Sequence, residues 1–243
     1  MRLLKTPASR LLALLLALTL PPLAVIAQTA APAAPFSAQY RVLRDGDAIG
    51  QATLSLSRAS SGVYVFSNVT RGSAGLAALL GLDVSESSRF RWHDDAVQDL
   101  GYRYHMQSAF KSITRSTAFD WSSHMITVHN GRSQQHYAAV PGTVDRNLAV
   151  LMLALHVAAG ARGTVVLPVA MPDRVSQQHY AIATAPVAVR VPAGAYQAYA
   201  VQRSDADNGL RAWFAPPLLA PVRMEQRDGK GTVYLLELEH APQ

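Results

Sequence analysis

From Phe36 onward the chain alternates apolar and polar residues with a period of two, broken at short intervals by turn residues, and this pattern confines it to antiparallel β-structure. Phe36, Ala38, Tyr40 and Val42 alternate with Ser37, Gln39 and Arg41. Successive strand side chains point to opposite faces, so such a run buries one face only. Asp45-Gly46-Asp47 turns the chain into a second run, Ala52, Leu54 and Leu56 against Thr53, Ser55 and Ser57, and Ser61-Gly62 leads into a third over 63–70. Connections this short place consecutive strands side by side and antiparallel. Further strands are predicted at 85–92, with Tyr102, Tyr104 and Met106 on one face of the next, then at 113–121, 125–129 and 134–140. The last two flank Asn130-Gly131, the strongest hairpin signal in the chain. After Gly163 the pattern predicts strands at 164–170, 179–185, 187–191, 196–203, 210–214, 222–227 and 232–239.

Two segments break the alternation. Over 145–160 the spacing is helical, with Leu148, Leu151, Met152, Leu155 and Ala159 on one stripe, Val150, Ala154, Val157 and Ala158 on the other, and Gly160 placed to end the helix. From Leu148 onward His156 is its one polar side chain. A helix apolar nearly all round has to be enclosed. The fold expected is therefore mainly β: a strongly curved antiparallel sheet, or open barrel, wrapped around one buried apolar helix at about 145–160. The second break, 72–82 (GSAGLAALLGL), is bracketed by glycines and reads as a single helical turn or a mobile loop.

The first 27 residues read as an export signal. Arg2, Lys5 and Arg10 carry the charge, a Leu/Ala run follows to Leu20, Pro21-Pro22 breaks it, and Val25-Ile26-Ala27 offers a processing site, so the mature chain would begin near Gln28. The apolar run stops after about ten residues, short of the ~20 a bilayer span needs. The chain has no cysteine, so it has no lipobox and no disulfides, and stability in an oxidising compartment must come from packing. The expected localisation is the periplasm, with no stable membrane anchor after cleavage. An Ala/Pro-rich tether spans 28–35, and a single β-rich domain spans 36–240. The net charge of +6 falls to +3 without Arg2, Lys5 and Arg10, which gives no reason to expect a nucleic-acid partner.

No motif specifies chemistry. Ser108-Ala109-Phe110-Lys111 fits the S-x-x-K spelling of serine acyltransferases, but that chemistry needs the serine at a helix start, and here the four residues join two strand patterns with no K-T-G following. Asp205-Ala206-Asp207-Asn208-Gly209 has its glycine one place early for a calcium loop and no closing glutamate, so a hairpin turn explains it. His124, His129 and His136 lack metal-ligand spacing. No catalytic residue, metal ligand or cofactor is assigned. Were the protein an enzyme of unrecognised type acting on envelope substrates, His124, His129, Asp94 and Asp95 would be the titratable groups to test.

Aromatic residues fall in the predicted strands and point either to an ordinary β-core or to an apolar cavity between sheet and helix. On the second reading Trp92, Tyr102, Tyr104, Trp121 and Trp213 line the cavity, and Leu76, Leu79 and Leu80 form a lid. The proline-rich stretch 213–221 is a second candidate for exposed apolar surface. The function expected is that of a non-enzymatic periplasmic protein binding an apolar, lipid-like ligand or an envelope partner.

Several segments together resemble a known family. F-x-A-x-Y-x-V with A-I-G-Q-A (36–52), S-S-R-F-R-W (87–92), F-D-W (119–121), the leucine-rich 145–160, V-P-A-G-A-Y (191–196) and the ending W-F-A-P-P-L-L-A-P-V-R-M-E with V-Y-L-L-E-L are similar to the domain of unknown function 3108 family of exported proteobacterial proteins. The resemblance implies a periplasmic β-rich fold and transfers no catalytic residues. In plan alone the chain also resembles periplasmic lipoprotein carriers, which hold helices in a half-barrel.

Overall fold

The computed structural model describes residues 33–59, 62–93, 96–206 and 209–242. The expected signal segment, Asp94 and Asp95 lie outside the described residues, as does the side chain of Leu76. In chain order the elements are β1 (Phe36–Arg44), β2 (Asp47–Arg58), β3 (Val63–Gly72), α1 (Gly75–Leu79), β4 (Asp83–His93), β5 (Ala96–Gln107), β6 (Ser112–Asp120), β7 (Met125–Asn130), β8 (Ser133–Ala138), α2 (Leu148–Ala158), β9 (Gly163–Ala170), β10 (Val175–Ile182), β11 (Val187–Val191), β12 (Gly194–Arg203), β13 (Leu210–Phe214), β14 (Pro221–Arg227) and β15 (Val233–His240).

The fold is mainly β, an open antiparallel sheet with strand order β8-β7-β6-β5-β4-β3-β2-β1-β15-β14-β13-β12-β10-β9, and β11 pairs with β12 off that path. Short turns make the meander: Asn130 and Ser133 pair across the β7–β8 turn, where Gly131 takes φ 61°, a left-handed conformation that glycine adopts without steric cost. The first and last strands close on each other, Tyr40 pairing with Leu238 and Arg41 with Glu237. The Tyr40 hydroxyl, buried, donates to the Pro221 carbonyl at 2.8 Å and so ties β1 to β14 across β15.

Laid flat, this many strands would hold the two outer edges on the order of 60 Å apart at the usual strand spacing. Here they meet. The Tyr137 hydroxyl of β8 donates to the Met171 carbonyl just after β9, and Val144, on the link from β8 to α2, forms a parallel bridge with Val169 of β9. That link donates from Val144 N to the Pro168 carbonyl at 3.0 Å and accepts from Ala170 N at 2.9 Å, which covers part of the β9 edge.

Inward residues of the strands, among them Ala38, Tyr40, Leu54, Phe66, Phe90, Val201, Phe214 and Leu238, form one core with Leu148, Leu151, Leu153, Ala154 and Val157 of α2. The helix is shorter than the expected 145–160, and its most buried residues are Leu148, Ala149, Leu151, Leu153, Ala154 and Val157. Leu155, on the first of the two expected stripes, is half-buried, whereas Leu153, on neither, is fully buried. Such a helix has no single buried stripe because several of its sides meet apolar neighbours.

Stretch 213–221 is not the exposed apolar surface expected of it. Trp213, Phe214, Ala215, Ala220 and Val222 are core residues, and exposure is limited to Pro216 and Pro217 with partial exposure of Leu218 and Leu219. Trp213 and Phe214 end β13, whose partner β14 already begins at Pro221, so the prolines occupy the connection between paired strands.

Candidate functional site

Strand register places a polar island on the inner, otherwise apolar, face of β2 to β5. One cross-strand row reads Leu54, Asn68, Glu86, Tyr104, and the next Leu56, Phe66, Ser88, Tyr102. A second inward carboxylate, Asp99, faces Phe90 where β4 and β5 slip register beside Gly101. Glu86, Ser88 and Asp99 are all buried.

The chain entering α2 docks on this island. Asp145 is buried and its Oδ1 accepts from Ser88 Oγ at 2.9 Å, Asn147 N at 2.8 Å and Leu148 N at 2.9 Å, so it caps the first turn of the helix. The residue at the cap position, Asn147, turns its amide to the Phe66 carbonyl and Ser88 Oγ instead. Asp99 accepts Gly101 N on Oδ1 and Asp145 N on Oδ2. Burial, then the charge of Asp145 and a hydrogen bond between the two side chains, push the Asp99 carboxyl well above the ordinary carboxylate range. Asp145 is also raised by burial, but its bonds to Asp99, Leu148, Ser88 and Asn147 oppose the shift. Its Oδ2 is buried with no hydrogen-bond partner. Two carboxyls this close and this buried favour the neutral form of one of them, the physical cause of the raised Asp99 carboxyl.

Beside the pair, Glu86 accepts from the Tyr102 hydroxyl at 2.9 Å and pairs with Arg146 at 2.6 Å. The Arg146 guanidinium also lies over the Tyr104 ring. Burial, followed by the charge of Glu86, raises the Tyr102 phenol far above its usual range.

Arg146 opens onto a cleft of about 230 Å³, walled by Leu54, Asn68 and Glu86 on one arm of the sheet, by Val150 of α2, and by Gln178, Tyr180, Leu210 and Met224 on the other arm. Asn68 Oδ1 is buried there without a hydrogen-bond partner. Gln178, also buried, accepts the Tyr180 hydroxyl at 2.6 Å and offers its amide nitrogen to the Met171 sulfur at 3.5 Å, a weak acceptor. Arg203, at the rim, is neutralised by Asp205 at 2.9 Å, and that bond holds the Asp205 carboxyl down at about 2.

The residues expected to line a cavity are not brought together. Tyr102 and Tyr104 belong to the polar island. Trp92 packs edge-on against Phe90, Trp121 stacks on Phe119 and donates its indole NH to the Asp99 carbonyl at 2.6 Å, and Trp213 sits between Arg211 and Arg223. Leu79 is 80% exposed on α1, and with Leu80 it borders a shallow hollow shared with His105 and Ser108, away from the α2 cleft. His124 and His129 are exposed near opposite ends of β7. Ser108 Oγ donates to the main-chain carbonyl of Lys111, in a turn between strands. Among the described residues no group of three His, Cys, Asp or Glu comes together as metal ligands, and no helix is long and apolar enough to cross a membrane.

Asp99, Asn68 and Gln178 were not singled out from the sequence. Asp99 sits where the alternation changes phase, and an inward Asn or Gln looks like an outward one until the register is known.

An open, all-antiparallel sheet with a polar island under a buried helix is the class these observations define. The chain belongs to the family described as "Protein of unknown function (DUF3108)", which matches residues 36–238. No curated protein matches it. Among solved structures it is similar to a beta-barrel-like protein of domain of unknown function DUF1849 from Brucella abortus, at 13% identity and a TM-score of 0.44, over 85% of this chain and 96% of that one.

Proposed function

We propose that this is an exported, non-enzymatic binding protein of the cell envelope, with the sheet curved around α2 and a small amphipathic ligand held in the cleft between them. The observation that carries the reading is Asn68 Oδ1, a buried acceptor without a partner, facing a cleft that also contains the under-used amide of Gln178. An unpaired buried polar atom costs about 1–3 kcal/mol, which a ligand donor would relieve. Leu54, Val150, Met171, Leu210 and Met224 supply the apolar part of the wall, and methionines adapt to irregular shapes.

The ligand head is uncharged, because both arginines of the cleft already hold carboxylates, Arg146 with Glu86 and Arg203 with Asp205. Its chain is short, because the cleft is smaller than the 300–1,000 Å³ typical of sites that enclose a drug-sized molecule. Octanamide has this form: its NH₂ would donate to Asn68 Oδ1 and its carbonyl would accept from Gln178 Nε2. Titration of octanamide against the side-chain amide NMR signals should give saturable shifts at Asn68 and Gln178 that Met224→Trp, which fills the cleft, removes. Unchanged amide signals at saturating octanamide would sink the proposal. Export is supported by the basic, apolar and small-residue segments of 1–27, and an intact mass beginning near Gln28 in periplasmic protein would test it.

A further inference from the structure

Two bulky apolar side chains stand in solvent at the same tip of the sheet. Leu79 of α1 is 80% exposed and Phe110 of the β5–β6 turn 86% exposed. Their loops are joined by a main-chain hydrogen bond from Ala109 N to the Leu80 carbonyl at 2.8 Å. Ser108 and Lys111 bond each other's main chains at 2.8 and 3.4 Å, so the turn is closed tightly and carries Phe110 at its apex. The placement of α1 is also specific: a Cβ on Gly72 would meet the Ala77 carbonyl oxygen at 2.5 Å, so glycine at 72 lets α1 fold back against β3.

Neither side chain contributes to the core, so packing does not account for a Phe at the apex of this tight turn. The polar and charged groups around it include Lys111, His105, whose ring bonds Thr114 and Gln107, and the Arg71–Asp83 pair at 3.3 Å. Arg71 and Asp83 neutralise each other. Lys111 is exposed and has no ion-pair partner among the described residues, and it is one of two lysines after residue 27 in a chain whose other cations are arginines.

We propose that the Leu79–Phe110 tip inserts into the headgroup layer of an anionic lipid bilayer. The exposure favours a bilayer over a protein partner: Leu79 and Phe110 project singly from two joined loops, whereas a protein would have to supply a pocket for each. A fluid lipid layer accepts protruding Leu and Phe without matching shape, and a flexible lysine beside them can reach anionic headgroups while its methylenes stay in the apolar layer. With two apolar side chains and one cation the contact is reversible, a docking contact rather than an anchor. It lies away from the α2 cleft and holds whether or not that cleft binds a ligand.

The test is cosedimentation of the purified chain with vesicles of phosphatidylethanolamine and phosphatidylglycerol, and with vesicles of phosphatidylcholine alone. The wild type should cosediment with the anionic vesicles, and Phe110→Ser and Leu79→Ser should each lower the bound fraction about tenfold. Lys111→Glu should weaken binding to the anionic vesicles and leave the weaker binding to phosphatidylcholine unchanged. All three variants should melt with the wild type, since the side chains are exposed. No cosedimentation of the wild type, or cosedimentation unaffected by Phe110→Ser and Leu79→Ser together, would overturn the proposal. So would self-association without lipid that Phe110→Ser abolishes, which would assign the tip to a second copy of the chain.

Discussion

The main-chain NH of Asp145 donates to the carboxyl of Asp99 at 2.7 Å inside the core, which fastens the start of α2 to the centre of the sheet. Burial and the neighbouring Asp145 charge hold the Asp99 carboxyl well above its ordinary range, while Asp145 caps the helix with Oδ1. Helix position and sheet register are thus fixed by the same few atoms.

The pair gives an unusual pH dependence. The folded protein holds the Asp99 proton more tightly than the unfolded chain does, because the folded carboxyl is raised well above its ordinary 3.8. Its contribution to stability is therefore fully present below about pH 4 and is lost as pH rises through the folded value. Asp99→Asn imitates the protonated form. Urea titrations from pH 4 to 9 should show a stability that falls with pH in the wild type and is flatter in Asp99→Asn, with a crossover that favours the variant at the alkaline end. Parallel profiles would contradict the raised Asp99 carboxyl.

Asp145→Ala should be far more damaging than its conservative counterpart. It strips the acceptor from Ser88 Oγ, Asn147 N and Leu148 N at once, a loss of about 3 kcal/mol or more. Asp145→Asn keeps one acceptor oxygen for these donors and should retain a cooperative melt, so calorimetry of the two variants separates capping from charge.

Leu153→Asp should prevent folding, because an unpaired carboxylate at a fully buried position costs several kcal/mol, about the whole margin of a domain. Leu155→Asp should fold with a lowered melting temperature, since Leu155 is half-buried. Circular dichroism melts of the two variants check the order, and equal melting points would contradict the placement of α2.

The strands were legible because their period-two runs are long and their turns carry strong signals, as at Asn130-Gly131. The family was legible in motifs such as S-S-R-F-R-W and the proline-rich ending. The start of β5 was not: the register slip near Gly101 changes the phase of burial, so Val97 and Asp99 point inward ahead of Tyr102, and no single alternation covers all three. The cleft was hidden for a different reason. Asn68 and Gln178 lie in strands far apart in the sheet order, β3 and β10, and come to one place because the two edges of the sheet meet, a long-range event that no local pattern records. Aromatic content drew attention to Trp92, Trp121 and Trp213, yet each of these packs against a neighbouring ring or cation, while the cleft is lined by methionines and amides.

On the proposed reading, the cleft beside α2 holds a small uncharged amphipathic molecule. Native mass spectrometry decides between a filled and an empty cleft, applied to the wild type and to Met224→Trp, each released gently from the cells that make it. An added mass is expected on the wild-type chain and none on Met224→Trp. A bare chain in both, or the same adduct on both, would contradict it.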